Sequence, residues 1–373
     1  MRILLCTFEM VKGVERLMPW RTLIEVARYS PHQIAICSIQ NPEPIRVYEG
    51  ISIYSVNYGI EAIKEFVEEG GWDVIYYPIT YRQGLKNMRS LESLNVRKIA
   101  YVPGGIYPLE GSLALMQIGA VKQALPYIMD TLTPHSLIAK KLQNVGFEAI
   151  VCQSYLTGED ASKSGWNKSI VALPGKDQPP TTDSSLYVEL GLQNQKVILF
   201  SGAPAPTRGA VLAMKAFDRI ANELTDTKMV MLMRKDVSSD FAEFDKYVSN
   251  IQHKDKFVIC YDKLTREQLF YFFGKAYAVV LPFLIVPSEI PLTFFEVMQM
   301  GTPVITFQNG GTTDYLNDAI KMVRHRSVRS FAKAIKELCD NLEERERLAK
   351  NAQKIMCNHP SWEQTSKEWL SVL

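Results

Sequence analysis

Two acids, Glu289 and Glu296, stand seven residues apart in the stretch "SEIPLTFFEVMQMGTPVITFQNGGTTDYL", residues 288–316. A helical rise of about 1.5 Å per residue separates them by roughly 10 Å. That distance suits two contacts on one extended ligand better than an acid–base pair on a single bond. A carboxylate accepts two hydrogen bonds, which matches adjacent hydroxyls of a ribose or hexose. Glu296 sits among Phe294, Phe295, Val297 and Met298, where an unpaired acid is costly. Glu289 also reads as a favourable charge at a helix N-terminus. Gly310 and Gly311 then free the backbone to bend, and Thr312 or Thr313 is expected to cap the next helix. Main-chain N–H groups in such a bend form an anion nest, although a plain strand-to-helix turn has the same composition.

A second loop carries complementary chemistry. In "FSGAPAPTRGAVLAMKAF" a strand ends at Phe200, Gly202 permits a close turn, and Pro204 and Pro206 stiffen it. Arg208-Gly209 then opens a helix, whose free N–H groups and positive dipole end suit phosphate. Arg208 adds bidentate charge, or is simply an exposed arginine at a helix start. Arg234 directly follows the apolar run "MVMLM" and is expected in the same crevice, whereas Lys235 reads as a solvated turn. Tyr261, after the run "KFVIC", offers a ring to stack on a nucleobase. Two cradles, two arginines and two acids together describe a nucleotide diphosphate carrying a sugar.

The elements that must position these groups are β-α alternations. "RILLCTF", "QIAICSI", "DVIYYPI", "KIAYVP" and "AIVCQS" are continuous apolar runs of strand length, as buried parallel strands require. Helical patterns such as "WRTLIEVARYS" and "GIEAIKEFVEEG" lie between them. After the loop "PGKDQPPTTDSS" the pattern restarts with "KVILFSG", "KMVMLMR", "KFVICY", "YAVVLPF" and "TPVITF". The expected fold is therefore α/β, with two Rossmann-like domains facing across a cleft and ligands at the carboxyl ends of the strands. We place an N-terminal domain at 1–180, a second at 181–355, and a closing amphipathic helix at 356–373.

Composition narrows the function further. The 373 residues are 47% hydrophobic and 22% charged, with a formal net charge of +2, so there is no polyanion-binding signal. Six scattered cysteines form no CxxC spacing and read as reduced thiols of a cytoplasmic protein. The histidines form no metal motif, and "MRILLCTFEM" reads as a buried first strand rather than a signal peptide. The run "AYAVVLPFLIVP" is too short to span a bilayer. A peripheral membrane contact stays open.

The C-terminal half resembles the donor domain of retaining GT-B glycosyltransferases, the group called family 4 or group 1. "EVMQMGTPVITFQNGGTTDYL" is similar to that family's run of Glu, short helix, Gly-x-Pro-Val, strand and Gly-Gly. "SGAPAPTRGAVLAMKAF" is similar to its phosphate loop, and "SWEQTSKEWL" to its closing helix. The resemblance runs from about residue 145 to the end. It implies that Glu296 binds the ribose, Glu289 contacts the donor sugar, and Arg208 neutralises the diphosphate where the family usually has lysine. Gly310, Gly311 and Thr312 would cradle the diphosphate from the other side, with Gly202 in the opposite turn. Lys12 and Gly13 would lie near donor and acceptor. Together with Arg16, Arg82, Gly104 and Gly105 they sit in N-domain loops and read either as lining the acceptor site or, equally, as turns and solvated charges. Three features depart from the family. The acids enclose six residues rather than seven. Ala203 follows the loop glycine where arginine is usual, leaving Arg234 to supply that charge. "VPGGIYPLEG" lacks the family's N-domain histidine, and His135 is not assigned to that role.

The implied activity is transfer of a hexose-type sugar from a nucleotide-diphosphate donor to a hydroxyl of a glycan or lipid-linked glycan. The implied requirements are no cofactor and no metal, in keeping with the lack of a DxD triplet. Two other readings compete. An inverting GT-B enzyme or a nucleotide-sugar epimerase would need a general base, and no residue of the N-half stands out as one. A non-catalytic sugar-nucleotide or glycan-binding subunit would bind donor without turnover.

Overall fold

The computed structural model describes residues 1–80, 88–107, 109–234, 241–286, 288 and 290–373. Its strands are β1 (Arg2–Phe8), β2 (Gln33–Ile39), β3 (Arg46–Tyr48), β4 (Ile51–Val56), β5 (Val74–Pro78), β6 (Arg97–Tyr101), β7 (Phe147–Cys152) and β8 (Ser169–Val171) in the first sheet. The second sheet holds β9 (Lys196–Gly202), β10 (Thr227–Met233), β11 (Phe257–Cys260), β12 (Ala278–Leu281), β13 (Val304–Phe307) and β14 (Ile320–Val323).

The first sheet has the order β3-β4-β2-β1-β5-β6-β7-β8, and only β3 runs antiparallel to its neighbour. The second has the order β11-β10-β9-β12-β13-β14 and is parallel throughout. Parallel strands covered on both faces must be apolar on both, and Ile3, Leu4, Leu5 and Cys6 are all fully buried, as are Val197, Ile198, Leu199 and Phe200. Each such aliphatic side chain contributes on the order of 1.5–3 kcal/mol relative to exposure. The strand order reverses between β1 and β5 in one sheet and between β9 and β12 in the other. Crevices at carboxyl strand ends open at such reversals.

Two chain crossings join the halves side by side. On the way out, Lys176 N donates to Pro360 O at 3.0 Å, and Gly175 lies so near Trp362 that a Cβ would meet its N at 2.5 Å. On the return, the helix Trp362–Leu370 packs on the helix Trp20–Arg28, with Ser366 Oγ donating to Val26 O at 3.0 Å. Trp369 is buried against Tyr76 and Tyr101. The chain also crosses elsewhere. The helices Leu109–Gln117 and Val121–Leu132 lie between β6 and β7 in sequence, yet their Ala114, Leu115 and Ala124 join the core of the second sheet. Gly111 makes this approach possible: a Cβ there would stand 2.2 Å from Leu284 O.

Candidate functional site

The carboxyl ends of β9, β10, β12 and β13 bring the predicted groups to one edge of the second sheet. Met233 is in register with Gly202, and Arg234 N donates to Gly202 O at 3.0 Å, so Arg234 follows directly at the end of the β9–β10 pair. Gly202 has φ 156°, and Gly209 has φ 69°. At Gly209 a side chain is excluded, because a Cβ would lie 2.2 Å from Pro282 O. Gly209 thus clamps the loop after β9 onto the loop after β12, and Leu284 N donates to Thr207 O at 2.9 Å across the same seam.

Arg208 closes a single 3-10 turn, Pro206–Arg208, and the helix begins at Ala210. Its guanidinium lies over the Phe283 ring at 4.8 Å from the centroid. Phe283 O in turn accepts Asn309 Nδ2 at 2.9 Å. A chain of direct contacts therefore links Arg208 to the residue immediately before the Gly310–Gly311 bend. The charge of Arg208 also reaches Tyr127 on the helix Val121–Leu132.

The bend differs from expectation in one respect. Thr312 and Thr313 do not cap the helix; Gly310–Leu316 is itself helical, and Asn309 occupies the cap position. Asn309 spends its side-chain amide on Phe283 O and Phe307 O. Thr313 Oγ1 instead donates back to Asn309 O at 3.0 Å and accepts from Asn309 N at 3.2 Å. The two glycines face the first sheet. A Cβ on Gly310 would meet Ile106 O at 2.9 Å, and one on Gly311 would meet Ser154 Oγ at 2.6 Å. Between the halves is a recess lined by Gly105, Ile106 and Tyr107 on one side and Ser288, Asn309 and Gly310 to Thr312 on the other. Glu289 lies outside the described residues, as do Arg82 and Lys235.

Glu296 lies on the helix Leu292–Gln299, partly buried. Burial pushes its carboxyl up to about 7, against the pull of Arg266, Arg21 and Arg234 and with a further push from Asp177. Asp177 is itself a junction between the halves: it accepts Trp362 Nε1 at 2.8 Å, Arg21 at 3.1 Å and Arg266 at 3.3 Å. Glu296 is thus surrounded by cations of three separate segments, and Arg234 is one of them.

The remaining candidates are more dispersed. Tyr261 follows β11, the edge strand two places from β9. Its ring packs on Phe241 and Phe244, and its hydroxyl donates to Asp245 at 2.8 Å. Lys12 and Gly13 are exposed in the loop after β1, where Gly13 has φ 100° and its N–H donates to Glu15 at 2.7 Å. Gly104 is buried behind the recess that Gly105 lines. His135 pairs with Asp160 at 2.7 Å. Sequence reasoning missed Ser154 and Ile106, which receive the glycines, and Arg326, whose guanidinium donates to Gln308 O beside the bend. Arg326 follows β14 in "VRHRSV", where no motif marks it.

Comparisons with known proteins bear on the family and the fold. Residues 188–355 match the family model "Glycosyl transferases group 1". The spore coat protein SA of Bacillus subtilis (strain 168) is 26% identical over 193 residues, which is 49% of this chain and 50% of that protein. The chain thus spans about half the length of this curated relative. Among solved structures, sucrose-phosphate synthase from Thermosynechococcus elongatus superposes with a TM-score of 0.74 at 14% identity, covering 100% of this chain and 98% of that one. The crystal structure of Anabaena HepE in complex with UDP-glucose gives 0.72 at 13% identity, covering 100% of both chains. At these identities the structural likeness establishes the fold. Residues 188–355 are therefore similar to the Glycosyl transferases group 1 family, in a chain whose fold is the GT-B arrangement of two Rossmann-like sheets facing across a cleft.

Proposed function

We propose that this chain is a glycosyltransferase that moves a hexose-type sugar from a nucleotide-diphosphate donor to a hydroxyl of a glycan or lipid-linked glycan, with retention of the anomeric configuration. Residues 181–355 hold the donor, residues 1–180 face the acceptor, and 356–373 tie the two together. The observation that carries this reading is the contact chain from Arg208 through Phe283 and Asn309 to the Gly310–Gly311 bend. It ties a fixed cation, through two intervening residues, to the turn of main-chain N–H groups that lines the inter-sheet recess.

Breaking the bond between the anomeric carbon and the diphosphate leaves negative charge on the departing group. Preorganised cations and N–H donors aimed at that charge give the largest single electrostatic help to such a step. Arg208 and Arg234 fill this role, with Gly310, Gly311 and Thr312 on the opposite side. Glu296 accepts the ribose hydroxyls, and Glu289 contacts the donor sugar. Protein cations do the work of a Lewis acid, so the reaction runs without metal or cofactor. The relative crystallised with UDP-glucose makes uridine donors the first to try.

The test is incubation of the purified chain with a panel of nucleotide-diphosphate sugars and glycan acceptors, following release of nucleoside diphosphate and the product anomer by NMR. Release with a retained anomer is expected, unchanged by a chelator. An inverted product removes retention, and donor binding without release for any acceptor makes the chain a binding subunit. Absence of both binding and release removes the whole reading.

A further inference from the structure

The helices Leu109–Gln117 and Val121–Leu132 each bury one face in the core of the second sheet and turn further large apolar residues outward. Gly111, Ser112, Ala114 and Leu115 of the first helix and Ala124 of the second are buried. Leu109, Leu113 and Met116 point to solvent from the first, and Val121, Leu125, Met129 and Leu132 from the second, with Leu125 55% and Leu132 69% exposed. At 100° per residue the second set falls within a strip about 80° wide. The two helices pack on each other and share the inner core, with exposed Ile118 between them, so we take the two strips together as one apolar platform. Nine of the chain's eighteen exposed large hydrophobic residues, among those described, fall between Leu109 and Leu137. Monomers rarely expose contiguous apolar surface beyond a few hundred Å² without a partner for it.

We propose that this platform is a membrane-docking surface, lying on an anionic lipid leaflet with its aliphatic strips in the headgroup–acyl boundary. Three observations choose lipid over protein. The strips consist of Leu, Val, Ile and Met, without the Trp, Tyr or Arg anchors that dominate protein interfaces. The charges fit an anionic surface. Lys122 lies exposed beside the second strip, while the exposed acid Glu110 is offset by nearby Arg326. The platform also adjoins the recess. Tyr107, which lines the recess, packs its ring on Tyr127 with centroids 4.8 Å apart, and Tyr107 O accepts Thr131 Oγ1 at 3.0 Å. Docking would thus bring the acceptor wall of the cleft down to the headgroup plane. Because the inner faces are already packed, docking needs no folding of the helices. Among the described residues no helix is long and apolar enough to cross a membrane, so the chain would lie on the leaflet.

The test needs no donor, so it stands apart from the catalytic reading. The full chain is sedimented with phosphatidylcholine vesicles made with and without phosphatidylglycerol. Binding to the anionic vesicles is expected, weakened by salt and by Lys122→Glu. Leu125→Asp and Met129→Asp should each weaken binding by about tenfold or more. Both side chains are exposed, so melting temperatures should not move. Absence of binding to either vesicle, or equal binding by the aspartate variants, overturns the proposal. A concentration-dependent dimer in light scattering that Leu125→Asp disrupts, with no vesicle binding, assigns the face to a second copy instead.

Discussion

Gly311 and Ser154 mark where a helix of each half meets the other: a Cβ on Gly311 would stand 2.6 Å from Ser154 Oγ and 2.7 Å from Ser154 Cβ. The glycine bend read from the sequence as an anion nest is therefore also a seam between the halves. Ser154 cannot simply turn aside, because its Oγ accepts Thr157 N at 3.2 Å to cap its own helix.

Gly311→Ala should consequently destabilise the chain. In a helix this substitution would ordinarily help by about 1 kcal/mol. Here overpacking against Ser154 should cost roughly 1–3 kcal/mol and decide the sign. Urea unfolding of Gly311→Ala, Ser154→Gly and the double variant measures the coupling. A more stable Gly311→Ala protein, or strict additivity, would show that the seam is loose.

Donor binding should depend on pH through Glu296. Its carboxyl is pushed up to about 7 by burial, so near neutrality the free protein holds it protonated about half the time. Donor hydroxyls need the ionised form as acceptor. Apparent affinity should thus climb with pH, by about tenfold between pH 6 and 8, following the ionised fraction. The sign for stability is the reverse. A folded pKa raised above the unfolded value adds stability that is complete below the ordinary carboxylate range and is lost as pH rises through about 7. Calorimetric titration with a nucleotide-diphosphate sugar across that range checks the first statement. Glu296→Gln should flatten the profile, and an unchanged slope in that variant would remove Glu296 from the donor site.

Much of this arrangement was legible because buried parallel strands are apolar on both faces. Runs such as Ile3–Cys6 and Val197–Phe200 stand out for that reason. β4 did not, since "ISIYSV" alternates buried and half-exposed positions, and β3, β8 and β14 are only three or four residues long. The helices Leu109–Gln117 and Val121–Leu132 were illegible for a different reason. Their inner faces meet the second sheet and much of their outer surface is apolar too, which blurs the period, and Pro126 reads as a breaker although it lies within a helix. Around the candidate site, residue types singled out Arg208, Glu296 and the glycines as candidates. The partners Ser154, Ile106 and Arg326 come from distant segments, and only packing brings them together.

Arg208 should matter for turnover more than for donor affinity. Its guanidinium is fixed over Phe283 rather than free in solvent, which preorganises the charge. Arg208→Ala should lower kcat by about a hundredfold, the scale of one lost oxyanion-type donor, with a smaller change in KM. Arg208→Lys should recover part of the loss, since lysine keeps the charge and loses the planar fork. Steady-state kinetics on the three proteins decides it, and wild-type turnover by the alanine variant would exclude a role in the chemical step.

The last prediction concerns His359, where the chain crosses back. His359 is buried, with one ring nitrogen 2.7 Å from Pro174 O and the other 2.9 Å from the Tyr315 hydroxyl. Burial pushes its pKa down to about 4, overriding the bond to Pro174, with Lys176 lowering it further. The ring is therefore neutral, donating to Pro174 O and accepting from Tyr315 on the helix that begins at the glycine bend. In the unfolded chain the same ring titrates near its ordinary 6.5, so below that pH the unfolded state binds the extra proton. Its contribution should be complete above pH 6.5 and be lost progressively as pH falls toward 4, amounting to roughly 3 kcal/mol over that window. Urea unfolding of the wild type and His359→Gln at pH 7.5, 6 and 4.5, values chosen to bracket about one window of this titration, isolates the term as the difference between the two profiles. The wild type should lose more stability than the variant between the first and last conditions. Parallel profiles would mean that His359 accepts a proton in place, and that the crossing is open to water.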